Sequence, residues 1–279
     1  MRDLRNRAVL VTGAASGIGR AASIAFASEG ANPLILNDID EAGLEGTASA
    51  IRKMGRETIT LPADVSDAAA VAEMVASALE YAGRIDILVN VAGVVGFCPV
   101  EDLTIEDWKH ELGVDLWGVI HTVSAVYPYM VSRGEGHILN VASSSGLFDP
   151  VLYLSPYVTA KFAVVGFSEA LMLEARPNGI GVSCVCPGSV DTPIKNRIRV
   201  KGFAEGAGRL VQLALAVSST PEATARIIVD AVKKNRFLVV TTGFARACYF
   251  VRKHFQWLWF GTMRKFAPVL AFAFKRYRV

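Results

Sequence analysis

The chain has 279 residues, 52% hydrophobic and 20% charged, which suits one large core or at most two small ones and excludes a disordered polypeptide. Its formal charge of +3 conceals two opposed regions: residues 1–230 hold 18 basic and 26 acidic side chains, residues 231–279 hold 11 basic and none acidic. An acidic main body argues against a nucleic-acid enzyme, and no nucleic-acid partner is expected.

Ala8-Val9-Leu10-Val11-Thr12 is a short β-branched strand running into Gly13-Ala14-Ala15-Ser16-Gly17-Ile18-Gly19. A helical pattern follows from Arg20 to Ser28. Strand, glycine-rich turn and helix N-terminus together make an anion site, because glycines admit the backbone and free helix N–H groups face a phosphate. Pro33–Asn37 reads as the second strand, closed by Asp38. An acid at that distance from the glycine loop would bind the adenosine ribose of NAD and repel the extra phosphate of NADP. No Arg or Lys immediately precedes Gly17, and Ile39 follows Asp38 where a phosphate binder would want a cation.

Strand and helix then alternate: helix 41–54, strand 57–61 leading to Asp64-Val65, helix 67–82, and strand 86–89 leading to Asn90-Val91-Ala92-Gly93. One long helix is expected over Ile105 to Ser132, then strand His137–Val141, helix Tyr157–Glu174 and strand Gly181–Val185. Apolar strands alternating with helices predict an α/β fold: a doubly wound parallel sheet in a three-layer αβα domain, with ligands at the carboxyl ends of the strands. Four cysteines, Cys98, Cys184, Cys186 and Cys248, show no paired metal spacing and read as reduced thiols, so no metal is expected. The alternation of a strand is expected to keep Cys184 and Cys186 from facing one ion. No apolar signal core opens the chain, and a cytoplasmic location is expected.

Tyr157 and Lys161 stand four apart, on one helix face. An ammonium beside a phenol favours phenolate, so the Tyr157 pKa is expected to fall towards neutrality and suit general acid–base work. Ser143, delivered by the strand before it, is placed to hold the same substrate oxygen.

Taken together, residues 5–243 resemble the short-chain dehydrogenase/reductase family, a Rossmann-type fold. Thr12–Gly19 looks like its cofactor loop, Asp64-Val65 its adenine contact, and Asn90–Gly93 its Asn-Asn-Ala-Gly element with Val91 in place of the second Asn. Ser143, Tyr157 and Lys161 look like its catalytic trio, and Pro187-Gly188, Val190 and Thr192 its nicotinamide carboxamide site. The resemblance implies that Tyr157 takes or gives the hydroxyl proton during hydride transfer. Lys161 would bind the nicotinamide ribose, and Ser143 would orient the substrate. Where the family has an Asn acting through its backbone carbonyl, this chain has Asp115; a backbone role survives that exchange. The implied cofactor is NAD in preference to NADP, and the implied assembly a homo-oligomer, tetramer or dimer. The expected activity is interconversion of a hydrophobic secondary alcohol and its ketone. Two rivals are an NADP-linked acyl ketoreductase and a non-catalytic nucleotide-binding or membrane-associated protein.

Residues 193–220 read as a substrate-covering segment, with Ile194, Ile198, Val200, Phe203, Leu210, Val211 and Leu213 among cations. With Phe97, Leu147, Phe148 and Leu152 they point to an apolar substrate pocket. Residues 244–279 form a separate helical extension, apolar and basic, too interrupted to span a bilayer. It reads as an interfacial contact with a membrane, as a surface buried against a neighbouring subunit, or as a cover over the substrate mouth.

Overall fold

The computed structural model describes residues 3–148, 152–204, 219–275 and 277–278. In chain order the strands are β1 Val9–Thr12, β2 Leu34–Asn37, β3 Thr58–Thr60, β4 Ile87–Asn90, β5 Gly96–Phe97, β6 Gly136–Val141, β7 Ile180–Cys186, β8 Arg199–Val200 and β9 Leu238–Val240. The helices are α1 Gly17–Ser28, α2 Glu41–Arg52, α3 Ala68–Ala82, α4 Ile105–Leu112, α5 Gly118–Arg133, α6 Ser155–Ala175, α7 Pro221–Lys233, α8 Gly243–His254 and α9 Gln256–Lys275. Seven strands form one parallel sheet in the order β3-β2-β1-β4-β6-β7-β9, and β5 pairs with β8 apart from it.

Parallel neighbours require crossovers, and these place helices on both faces. That is why the strands read as unbroken apolar runs. Leu10, Ile35, Leu88, Ile138 and Val182 face Val75, Val123 and Val164 of α3, α5 and α6. Val9, Val11, Leu36, Val89 and Val185 face Phe26, Leu44 and Ile228 of α1, α2 and α7. Strand order reverses beside β1, between β2 and β4, and the crevice at their carboxyl ends is where this doubly wound, Rossmann-type fold binds ligands.

Two expectations need correction, and further elements go beyond them. The single helix over 105–132 is broken by a π-helical turn, Gly113–Trp117, which turns Asp115 inward. The structure adds α7 and β9, which the chain-order reading left unassigned; α7 does carry a sequence signal, a Thr220-Pro221 start and buried Ala225, Ile228, Val229 and Val232 at helical spacing. Cys184 and Cys186 face the same side of β7, their Sγ atoms 4.0 Å apart, because residues two apart on a strand share a face. No group of three metal-ligating side chains joins them among the described residues.

The edge opposite the crevice is anchored by Asp86. Fully buried, it accepts the Ala8 N–H at 2.9 Å and meets Arg84 at 3.0 Å and Arg133 at 3.2 Å. Asp86→Ala breaks a buried pair and should lower the unfolding free energy in urea by about 3 kcal/mol.

Candidate active site

The glycine loop is shaped by contacts that allow no side chain. Gly13 and Gly17 hold φ of +68° and +52°. A Cβ on Gly13 would lie 2.8 Å from Ala92 N, and one on Gly19 2.0 Å from Gly13 O. Ser16 precedes α1 in extended conformation and makes no capping bond, and the first turn holds no acid. The N–H groups of α1 therefore have no side-chain cap, which fits a bound phosphate. Ile18 packs on the core beneath. Thr192 reaches this loop from beyond β7: a Cβ on Gly17 would sit 3.0 Å from its Cγ2. Thr12 Oγ1 accepts the N–H groups of Val91 and Ala92 at 3.1 and 3.3 Å, tying the end of β1 to the loop after β4.

Asp38 follows β2 and is pinned against the glycine loop, accepting the N–H groups of Ala15 at 3.0 Å and Asp40 at 3.1 Å. A cation does reach this corner from far along the chain: Arg197 lies 3.6 Å from Asp40. Asp64 is exposed and accepts from Ser66, while Val65 is buried with its carbonyl 2.9 Å from His121 Nδ1. Pro187 O accepts the Ser144 N–H at 2.7 Å, Gly188 N–H reaches Thr241 Oγ1 at 3.4 Å, and buried Val190 bridges to Ser219. Asn90 is engaged at the end of β4. Its amide donates to Asn140 and accepts from Thr122 at 2.9 and 2.8 Å, so the side chain braces β4 against β6 and α5.

Ser143 stands two residues beyond β6, and Tyr157 and Lys161 occupy the first two turns of α6, where Pro156 favours helix initiation. Gly146 brings them together: a Cβ there would lie 2.5 Å from Lys161 O, so only glycine lets the serine turn rest on α6. The Lys161 ammonium sits 5.5 Å from the Tyr157 ring centre. Lys161 is 4% exposed, and its Nζ meets Asp115 Oδ1 at 2.8 Å. Asp115 is fully buried, with Oδ2 accepting the Val94 N–H at 3.3 Å.

Burial, more than this pairing, reverses the expectation for the phenol. Burial raises the Tyr157 pKa above its ordinary value; Lys161 pulls it down, and Asp115 pushes it back up. Burial disfavours the Lys161 charge, but Asp115 and Tyr157 outweigh it and lift its pKa. Burial likewise lifts Asp115, against the field of Lys161. An ammonium already neutralised by a carboxylate has less field left for its tyrosine.

The expected substrate residues Phe97, Leu147 and Phe148 are buried, and the C-terminal extension covers them. Phe97, Tyr153, Phe203 and Phe274 form one aromatic cluster with ring centres 5.1 to 5.9 Å apart. Trp259 meets Phe148 edge-on at 5.8 Å, and Arg252 donates to Leu147 O. Arg278 closes the cover on Asp102 at 2.7 Å and Glu101 at 2.9 Å. Leu210, Val211 and Leu213 lie outside the described residues.

A glycine cradle at the switch point of a parallel sheet, beside a Ser–Tyr–Lys trio, defines a nucleotide-dependent oxidoreductase. The short chain dehydrogenase model matches residues 7–201, and the chain belongs to that family. It is an NAD(P)-dependent dehydrogenase/reductase acting on CH–OH groups. It is 36% identical over 198 residues to the (2S)-[(R)-hydroxy(phenyl)methyl]succinyl-CoA dehydrogenase subunit BbsD of Thauera aromatica, covering 71% of this chain and 79% of that one. It is 40% identical over 206 residues to a monensin polyketide synthase putative ketoacyl reductase of Streptomyces virginiae, covering 73% and 78%. A short chain dehydrogenase/reductase from Burkholderia phymatum, solved in complex with NAD, superposes with a TM-score of 0.85 at 31% identity, covering 92% of this chain and 96% of that one.

Asp115→Asn removes a charge that raises the phenol pKa, so Tyr157 should ionise at lower pH. The alkaline-activated limb of the oxidation profile should move to lower pH, with turnover changed by less than about tenfold. Phenolate absorbance against a Tyr157→Phe control reads the same shift without a substrate. A thousandfold loss of turnover would instead show that the carboxylate is required.

Proposed function

We propose that this protein interconverts a hydrophobic secondary alcohol and its ketone with NAD, Tyr157 serving as general acid and base. The observation that carries the reading is the convergence of Ser143, Tyr157 and Lys161 at the carboxyl end of β6 with the glycine loop and Thr192 at the adjoining switch point. Bound nicotinamide would supply the hydride chemistry. Gly13, Ser16, Gly17, Ile18 and Gly19 would hold its pyrophosphate, Asp38 the adenosine ribose, and Asp64 with Val65 the adenine. Ala92, Gly93, Pro187, Gly188, Val190 and Thr192 would line the nicotinamide side. Tyr157 takes the hydroxyl proton in oxidation and returns it in reduction, Ser143 positions the substrate oxygen, and Lys161 orients the nicotinamide ribose.

Asp38 supports NAD over NADP, since a carboxylate at that corner repels a 2′-phosphate. The buried aromatic wall around Phe97 and Phe148 supports an apolar substrate, and one relative is named for a substrate whose hydroxyl adjoins a phenyl group. Formation of NADH from a panel of steroid, alicyclic and aromatic alcohols tests the reading. Tyr157→Phe should lose about a hundredfold or more in rate; equal rates would sink the assigned mechanism. Asp38→Ala should bring kcat/KM with NADP closer to that with NAD.

The extension supports a second reading, peripheral contact of a homo-oligomer with a membrane surface. Among the described residues no helix is long and apolar enough to cross a bilayer. Yet α9 exposes Trp257 and Phe272, each 77% accessible, on the same face as Arg264 and Lys265, and no acid lies beyond Asp230. Flotation with anionic but not zwitterionic vesicles is expected, and Trp257→Glu with Phe272→Glu should abolish it. A paired loss of oligomer size without any vesicle binding by the parent would assign this face to a subunit contact instead.

A further inference from the structure

A second buried carboxylate lies one turn before Asp115. Glu111, near the end of α4, is 5% exposed. The two acids take alternate N–H groups from the segment that leaves β4: Asp115 Oδ2 accepts from Val94 at 3.3 Å and Glu111 Oε1 from Gly96 at 3.1 Å. Both approaches depend on glycine, because a Cβ on Gly93 would sit 2.7 Å from Asp115 Oδ1 and one on Gly96 2.7 Å from Glu111 Oε2. Gly93 closes the cofactor-side loop, and Gly96 opens β5, which carries Phe97 into the apolar wall. Two buried acids one helical turn apart thus lie beneath the segment that joins the cofactor side to the substrate side; Asp115 pairs directly with Lys161, and Glu111 feels its field.

We propose that Glu111 is a positioning residue that sets the charge of the Asp115–Lys161 pair, and through it the pH at which Tyr157 exchanges its proton. The groups that act on it are Asp107 on its own helix, Asp115 in the π turn and Lys161 on α6, and it acts in turn on Tyr157. Asp107 is held by Lys201 at 2.5 Å. Burial raises the Glu111 carboxyl to about 7, with the Gly96 N–H and Lys161 opposing and Asp115 adding to the rise. Glu111 therefore changes charge across the neutral range. Once ionised, it raises both Lys161 and Tyr157, so the phenol becomes harder to ionise as pH rises.

This inference rests on Tyr157 as the acid and base, and Glu111→Gln tests it in the whole chain. The amide oxygen still accepts from Gly96 N–H while the charge is gone. In the first arm, thermal melting is followed from acid to alkaline pH. A carboxyl whose folded pKa is raised loses stability as pH rises from its ordinary value of 4.5 to about 7. The variant should therefore melt level with the parent in acid and above it in alkali. In the second arm, the Tyr157 phenolate titration, read against Tyr157→Phe, should move down by about half a pH unit or more. The pH–rate limb should move with it.

A melting difference independent of pH, an unmoved phenolate titration, or a variant that does not fold would each overturn the proposal. Both shifts without turnover of any alcohol would count against the catalytic reading of Tyr157 and leave the charge coupling standing.

Discussion

The buried pair of Lys161 and Asp115 is the constraint around which the site is built. Taking two ions out of water costs several kcal/mol each, and only close pairing with further hydrogen bonds offsets it. Here the pair closes at 2.8 Å, and Asp115 gains the Val94 N–H. Three separate elements must meet for that geometry to exist. The π turn aims Asp115 inward, α6 delivers Lys161, and Gly93 admits the carboxylate without a clash.

The sheet explains why these elements meet at one end. Every ladder in it is parallel, so each strand ends at the same edge and each return helix starts there. Gly13, Asp38, Gly93, Ser143 and Thr192 are far apart in sequence and share that edge. A polar network of Asn90, Asn140, Thr122 and Ser168 keeps the central strands in register beneath it. Its members are mutually satisfied, which makes a buried polar cluster tolerable. The C-terminal extension closes the remaining apolar side, with Phe274 and Trp259 packed on Phe97 and Phe148 and Arg278 on two acids.

Much of this was legible in the residues. Apolar runs between helical stretches specify a parallel sheet, and a glycine loop after the first strand specifies a tight strand-to-helix turn. The helical spacing of Tyr157 and Lys161 is local, so it needed no tertiary information. Three points were not legible. The π turn interrupts an unbroken helical pattern, and one extra residue per turn leaves no mark in composition. The Asn90 amide bonds Asn140 and Thr122, residues 50 and 32 positions away, which no local spacing reveals. Glu111 looks like one more helix acid, and only the approach of Gly96 from another element shows that it is buried.

The sequence by itself determined the alternation of strands and helices as far as β7, the tight glycine turn, and the shared helix face of Tyr157 and Lys161, because these follow from local spacing and backbone sterics. The tertiary structure alone decided the electrostatics. A lysine four residues from a tyrosine promises an acidic phenol, but the sign of the shift depends on burial and on which third charge the fold brings within reach. Asp115 is that charge, and the side-chain oxygens of an aspartate 46 residues before Lys161 become its partner only once α6 and the π turn are packed together.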